Sequence, residues 1–276
     1  METFHADPGF LLLFSGALLV TGLIAGVLAG LLGVGGGIVI VPVLFNIFLW
    51  LGIDESIRMH LAVGTSLATI IPTSIMSARS HFKRGGIDVD LLKSWGPAIF
   101  IGVLAGTYFG GNARGEVLTA IFASVALFVA ANMALRKEGM VLAQSLPGGI
   151  ARFVMGLVVG TFSVMMGIGG GTLSVPLLTA FNFPIRRAVG TASAIGFIIA
   201  VPGSIGFILA GLGEPSLPPL SFGYANLIGF ALIVPMTMLM APVGARIAHT
   251  IPPKALRLAF AFFLLVTSVR MFLSLM

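Results

Sequence analysis

From Phe10 to Leu273 the chain is written in apolar stretches of roughly bilayer length, separated by short charged or glycine- and proline-rich breaks. A hydrocarbon core of about 30 Å asks for about 20 apolar residues per helix. Cut at those breaks, the first half gives segments at about Phe10 to Leu32, a short Gly37 to Leu51, Leu61 to Ala78, Leu91 to Gly110 and Glu116 to Leu135. The second half gives Ile150 to Met166, a short Gly171 to Phe183, Ala188 to Leu212, Phe222 to Ala245 and Lys254 to Leu273. No segment alternates polar and apolar positions as a barrel strand would, so helices are the spanning element this pattern predicts.

Composition fixes the solvent. A chain that is 58% hydrophobic and only 9% charged is excluded from the soluble class, where about a quarter of residues are charged. The expectation is an all-α integral membrane protein of about ten membrane segments, or eight full helices plus two short or broken ones by a stricter count. The 37 glycines suit close helix packing and broken helices. Cysteine is absent, so no thiolate chemistry is available. The start METFHAD lacks a basic n-region, and no cleaved signal peptide is expected.

The net charge of +6 reads as topology rather than as attraction to nucleic acid. All lysines and arginines except Arg58, Arg114 and Arg270 fall at Arg79 to Lys93, at Arg136 to Arg152, at Arg186 and Arg187, or at Arg246 to Arg257. Basic loops stay in the cytoplasm. That threading leaves Glu2, Asp7, Asp54, Glu55, Glu116 and Glu214 outside, with both termini periplasmic.

The pattern is also written twice. GLLGVGGGIVIVPVL at Gly30 to Leu44 returns as SVMMGIGGGTLSVPLL at Ser163 to Leu178, and AVGTS at Ala62 to Ser66 returns as AVGTAS at Ala188 to Ser193. Residues 1–138 and 150–276 therefore read as two repeats joined by a linker at 139–149. An odd number of crossings in the first repeat inverts the second. Inverted repeats in a bilayer point to a transporter.

Several glycines in series are costly inside a helix, so the helix should break at each run. The following piece then starts with free N–H groups and the positive end of a helix dipole, an anion-binding arrangement. Gly35, Gly36 and Gly37 in one half and Gly169, Gly170 and Gly171 in the other are the candidate substrate-binding positions. Pro42 and Pro176 fall in the first turns of the two pieces, where a missing N–H costs least. The same glycines would also serve close helix packing, and the sequence leaves both readings open.

Thr65, Ser66, Thr191 and Ser193 supply hydroxyls near the start of the third segment of each half. They can donate to anionic oxygens, or bond back to their own helix. No Asp or Glu lies well inside a segment, so a carboxylate-based proton relay has no evident home. His60, at a segment boundary, is the candidate for proton or ion coupling, and Arg79, Arg186 and Arg187 for an anion-attracting cytoplasmic vestibule. Trp50 and Trp95 fall at segment ends and read as interfacial anchors. No HExxH, GxSxG or carboxylate cluster supports an enzyme. No metal centre and no cofactor is expected.

The tandem GVGGGIVIVPVL and GIGGGTLSVPLL, each followed by AVGTS or AVGTAS, together with the closing GARIAHTIPPKALRLAFAFFLLVTSVRM, resemble the TauE/SafE sulfite exporter family. The resemblance runs from about Leu23 to Met271. It implies a bacterial inner-membrane protein that moves small anions outward, in several members sulfite or organosulfonates, and does not choose among them. It places the suspected site at Gly35 to Gly37 with Thr65 and Ser66, and at Gly169 to Gly171 with Thr191 and Ser193. The halves differ there: TSL follows the glycine in one and TAS in the other. The expectation is a secondary transporter exporting a small sulfur-containing anion such as sulfite or sulfoacetate by alternating access, with a passive anion channel as the alternative. Its partners would be the anion and the lipid bilayer, with no nucleic acid. A coupling proton or ion and a homodimer are further candidates.

Overall fold

The computed structural model describes residues 8–33, 35–135, 142–247, 250 and 252–275. Glu2, Asp7, Arg136, Lys137 and the start of the linker, whose sides of the membrane were expected from charge, lie outside the described residues. Among those residues the chain forms ten helices and one short hairpin: α1 Pro8–Leu32, α2 Gly37–Trp50, α3 Glu55–Phe82, α4 Val89–Asn112, α5 Gly115–Leu135, α6 Gly149–Met165, α7 Gly171–Ala180, α8 Ile185–Ala210, β1 Ser221–Phe222, β2 Ala225–Asn226, α9 Leu227–Ile247 and α10 Pro253–Leu273. Six are long and apolar enough to cross a membrane: Ser15–Leu32 within α1, and α3, α4, α5, α8 and α9. Helices α2, α6 and α7 and the stretch Ala261–Leu273 are apolar but shorter.

Capping explains where the observed helices outrun the hydropathy pattern. Helix α3 starts six residues before the apolar stretch, because the Asp54 carboxylate accepts the Ser56 N–H at 2.8 Å and stabilises a polar first turn. Its bonds to Ser56 hold the Asp54 carboxyl below the usual carboxylate range. Helix α4 starts in the same way: Asp88 Oδ1 accepts the Leu91 N–H at 2.9 Å. Helix α9 starts five residues later than its apolar stretch, because the antiparallel pairing of Phe222 with Ala225 turns the chain first. Pro42 and Pro176 stand sixth in α2 and α7, past the first turn, so each removes a helical donor.

Small residues set the helix pairs. Helix α1 lies on α9, α4 on α6, α3 on α8 and α5 on α10. Along the first pair Gly22 meets Ile233, Gly26 meets Thr237 and Gly30 meets Ala241, so α1 and α9 run parallel at backbone contact. Gly102, Gly106, Gly156 and Gly160 do the same for α4 and α6. Without water to drive association, such close van der Waals contact is what holds helices together in lipid.

The connections gather at two ends. At one, Glu55, Gly111, Arg114, Glu214 and Tyr224 share a cavity wall, which brings together the links α2 to α3, α4 to α5 and α8 to α9. At the other, Arg187 pairs with Asp88 at 3.1 Å, Trp95 Nε1 donates to the Arg152 carbonyl at 3.0 Å and Leu142 N–H donates to the Ala180 carbonyl at 2.7 Å. Helix α6 thus starts, and α7 ends, at the same end; the pair dips in and returns. Trp95, expected at the interface, is instead fully buried. Its position near a helix start resembles an anchor in sequence, but α6 covers it through Gly156. Trp50 is exposed.

Candidate functional site

Each glycine run separates two helices. Helix α1 stops at Leu32 and α2 resumes at Gly37; α6 stops at Met165 and α7 resumes at Gly171. Gly33 and Gly167 hold left-handed φ of 66° and 63°, the turn that ends a helix at least cost with glycine. The two runs then meet. Gly37 lies against the Gly167 carbonyl, and Gly171 against the Leu32 and Gly33 carbonyls, so closely that a Cβ on either would collide with backbone. A Cβ on Gly35 would come 3.6 Å from the Gly169 Cα. Gly35, Gly36, Gly37, Gly169, Gly170 and Gly171 are all buried. Two helix N-termini therefore start side by side inside the bundle.

The serines of the repeated motifs border this junction, and the threonines turn away from it. Thr65 Oγ1 accepts the Asn226 N–H at 2.8 Å and Thr191 Oγ1 accepts the Asp88 N–H at 2.9 Å. Each threonine thereby fixes the start of a long helix, α9 or α4, and neither spends its own proton in that bond. The glycine before it makes room: Gly64 packs under the Tyr224 carbonyl and Gly190 under the Gly86 carbonyl. Ser66 Oγ donates to the Gly167 carbonyl at 2.7 Å, tying α3 to the opposite glycine run. Ser193 Oγ donates to the Val189 carbonyl at 3.0 Å and lies 3.1 Å from Ser77 Oγ.

The remaining candidates lie elsewhere. His60 stands one turn inside α3 rather than at a boundary, buried, with Nδ1 3.1 Å from the Ser56 carbonyl and Nε2 2.9 Å from the Ala113 carbonyl. A neutral imidazole can donate to one of these acceptors, an imidazolium to both. Beside it opens a cavity of about 350 Å³ that carries Glu55, Glu116, Glu214 and Arg114, the last paired with Glu116 at 2.7 Å. Burial and the Glu214 carboxylate push the Tyr224 phenol above its ordinary value. Arg79, Arg186 and Arg187 are exposed, and Arg187 pairs with Asp88 at the opposite end from His60. The fold brings the glycine runs together with Ser66 and Ser193, turns the Thr65 and Thr191 hydroxyls toward Asn226 and Asp88, and keeps His60 apart from Arg79, Arg186 and Arg187.

Further polar groups, Thr69, Thr73, Ser77 and His81, continue from Ser66. Ser66, Thr69, Thr73, Ser77 and His81 form one buried stripe along α3. Thr73 Oγ1 donates to Thr237 Oγ1 at 2.8 Å, Ser77 Oγ is 3.4 Å from the Ala29 carbonyl, and His81 Nε2 is 3.0 Å from the Gly30 carbonyl. Their spacing of three and four residues was a readable signal. Among the described residues Thr107, Ser163, Thr172 and Ser174 carry buried hydroxyls without a hydrogen-bond partner. Thr172 and Ser174 stand in the first turn of α7, where the first run's IVI becomes TLS.

Comparison with known proteins adds relatives. Residues 18–271 match the family described as Sulfite exporter TauE/SafE. A "Probable membrane transporter protein" of Haemophilus influenzae is 36% identical over 256 residues, covering 92% of this chain and 97% of its own length. A similarly described protein of Methanocaldococcus jannaschii is 29% identical over 96% of this chain and 97% of its own. One of Bacillus subtilis is 29% identical over 70% of this chain and 78% of its own. No solved structure matches.

Proposed function

The chain belongs to the TauE/SafE sulfite exporter family and is a multi-pass membrane transporter, and we propose that it exports a small sulfur-containing anion, sulfite, sulfoacetate or another organosulfonate, by alternating access. The observation that carries this reading is the meeting of the two glycine runs, Gly37 on Gly167 and Gly171 on Gly33. Two helix N-termini at one buried point favour an anion without any buried positive side chain. Gly35 to Gly37 and Gly169 to Gly171 supply backbone donors; Thr65 and Thr191 have protons left to give, and Ser66 and Ser193 hold the walls.

The helix pairing supports two inverted repeats, 1–138 and 150–276. Exchanging every helix with the one five places along leaves the pairs α1 with α9, α4 with α6, α3 with α8 and α5 with α10 unchanged. Rocking one repeat against the other around a fixed midplane site is the motion such a plan supports. Basic residues at the end that holds Asp88 and Arg187 support placing that end in the cytoplasm of the inner membrane, with the termini periplasmic.

Purified protein in liposomes should give saturable flux of sulfite or a small sulfonate, driven by an imposed gradient and abolished when Gly36 or Gly170 is replaced by a bulky residue. Flux that never saturates would make it a channel. No flux for any sulfur oxyanion would end the substrate reading.

A further inference from the structure

We infer that His60 is a proton-binding latch at the outer mouth of the transport path. Its imidazolium ties α3 to the link between α4 and α5, and loss of the ring proton frees that link. This rests on the transporter reading above, which places the His60 end outside, and adds control of the path by outer pH. Nδ1 faces the Ser56 carbonyl at 3.1 Å and Nε2 the Ala113 carbonyl at 2.9 Å. A carbonyl only accepts, so the neutral ring, with its single N–H, sets a bare lone pair against the second oxygen. Only the charged ring makes both ends of the tie.

The proton has a way in. His60 is 3% exposed, yet it lines the cavity of about 350 Å³. Facing it there are Glu55 from α3, Arg114 and Glu116 from the link and the start of α5, and Glu214 and Tyr224 from the connection between α8 and α9. Helix α8 adds the uncharged Phe207 ring at 6.4 Å, while Arg58 turns away to the Ile53 carbonyl at 2.9 Å. Three carboxylates against one guanidinium, itself paired with Glu116, favour a positive charge here over an anion. The latch also sits close above the glycine junction. On the same helix Val63 packs on Gly167, and Ser66 Oγ bonds the Gly167 carbonyl. The Tyr224 ring lies 4.9 Å from the imidazole, and the Tyr224 carbonyl covers Gly64. The protonated ring therefore closes the mouth and the neutral ring opens it, so export slows as the outer side is acidified.

The chain has no cysteine, so Asn112→Cys puts a single nitroxide on the exposed end of α4, beside the link, for paramagnetic resonance of the purified full-length protein. Its mobile fraction should rise about tenfold in one step between about pH 5 and pH 8, as one charge-assisted hydrogen bond is lost. Efflux of sulfoacetate, whose charge is constant over that range, should rise with the same midpoint when pH is changed on the cavity side of proteoliposomes. His60→Gln should abolish both steps. Glu214→Gln, which removes a facing carboxylate, should move the midpoint down by about half a unit. A parent nitroxide that ignores pH, a step that survives in His60→Gln, or a step abolished by His81→Gln at the opposite end would overturn the latch. Where His60→Gln does not fold, an unmoved midpoint in Glu214→Gln overturns it instead. If the nitroxide step is present while no sulfur oxyanion moves at any pH, the latch stands and the substrate reading fails.

Discussion

Helices α3 and α8 carry the same GT motif and pack on each other at the glycine junction, yet their buried faces have opposite characters. Below Thr65 the face of α3 carries Ser66, Thr69, Thr73, Ser77 and His81; counted in the same way from Thr191, α8 carries Ala192, Ile195, Ile199, Gly203 and Phe207. The α3 face is hydrogen-bonded to α1, α8, α9 and the second glycine run. The α8 face packs by shape. A buried polar face must find partners to be stable, and an apolar one need only be filled. The two helices thus meet at one junction, with the α3 side of it hydroxyl-lined and the α8 side dry. The two half-helices repeat the lesson at smaller scale, Thr172 and Ser174 against Ile38 and Ile40.

The common part of that comparison should break hardest. Gly37→Val and Gly171→Val each drive a side chain into the opposite glycine run, so both should reduce monodisperse protein extracted in mild detergent to background. Tolerance of either one would mean that the junction is not shared. Next in size come Thr65→Val and Thr191→Val, which leave the Asn226 or Asp88 backbone N–H without an acceptor at a cost of about 1–3 kcal/mol each. Matching drops in thermal stability would show that the two GT motifs do the same work.

The polar and dry faces separate in a double-mutant cycle. Thr73→Val should cost about 1 kcal/mol and couple to Thr237→Val, since the two hydroxyls bond each other. Ile199→Val, about 0.5–1.5 kcal/mol from a lost methylene, should simply add to Thr237→Val. Coupling of similar size in both cycles would erase the contrast. The smallest effect is expected at Asp88→Asn. It keeps the helix cap and removes the ion pair with Arg187, whose side chain is 52% exposed, so the loss should be under about 1 kcal/mol and shrink with salt. The variant makes the start of α4 resemble that of α9, where Asn226 Oδ1 caps Gly229 N–H at 2.9 Å.

Much of this was readable in one dimension. Apolar length and the glycine breaks located the helices to within a few residues, except where Asp54 extended α3 and the Ser221–Asn226 hairpin delayed α9. Reading Trp95 as an interfacial anchor and His60 as a boundary residue failed because burial of an aromatic ring depends on what lies across from it. Arg152 and Gly156 in α6 meet the tryptophan, and the Ala113 carbonyl meets the histidine.

By itself the sequence determined the solvent, the repeat and the breaks, because each follows from local composition: apolar runs cannot stay in water, and consecutive glycines do not continue a helix. Only the tertiary structure decided that the two glycine runs touch, that Thr65 and Thr191 serve the starts of α9 and α4, and that Thr172 and Ser174 find no hydrogen-bond partner among the described residues. Those are contacts between residues far apart in the chain, and a hydrogen bond or a collision exists only once packing has fixed both of its ends.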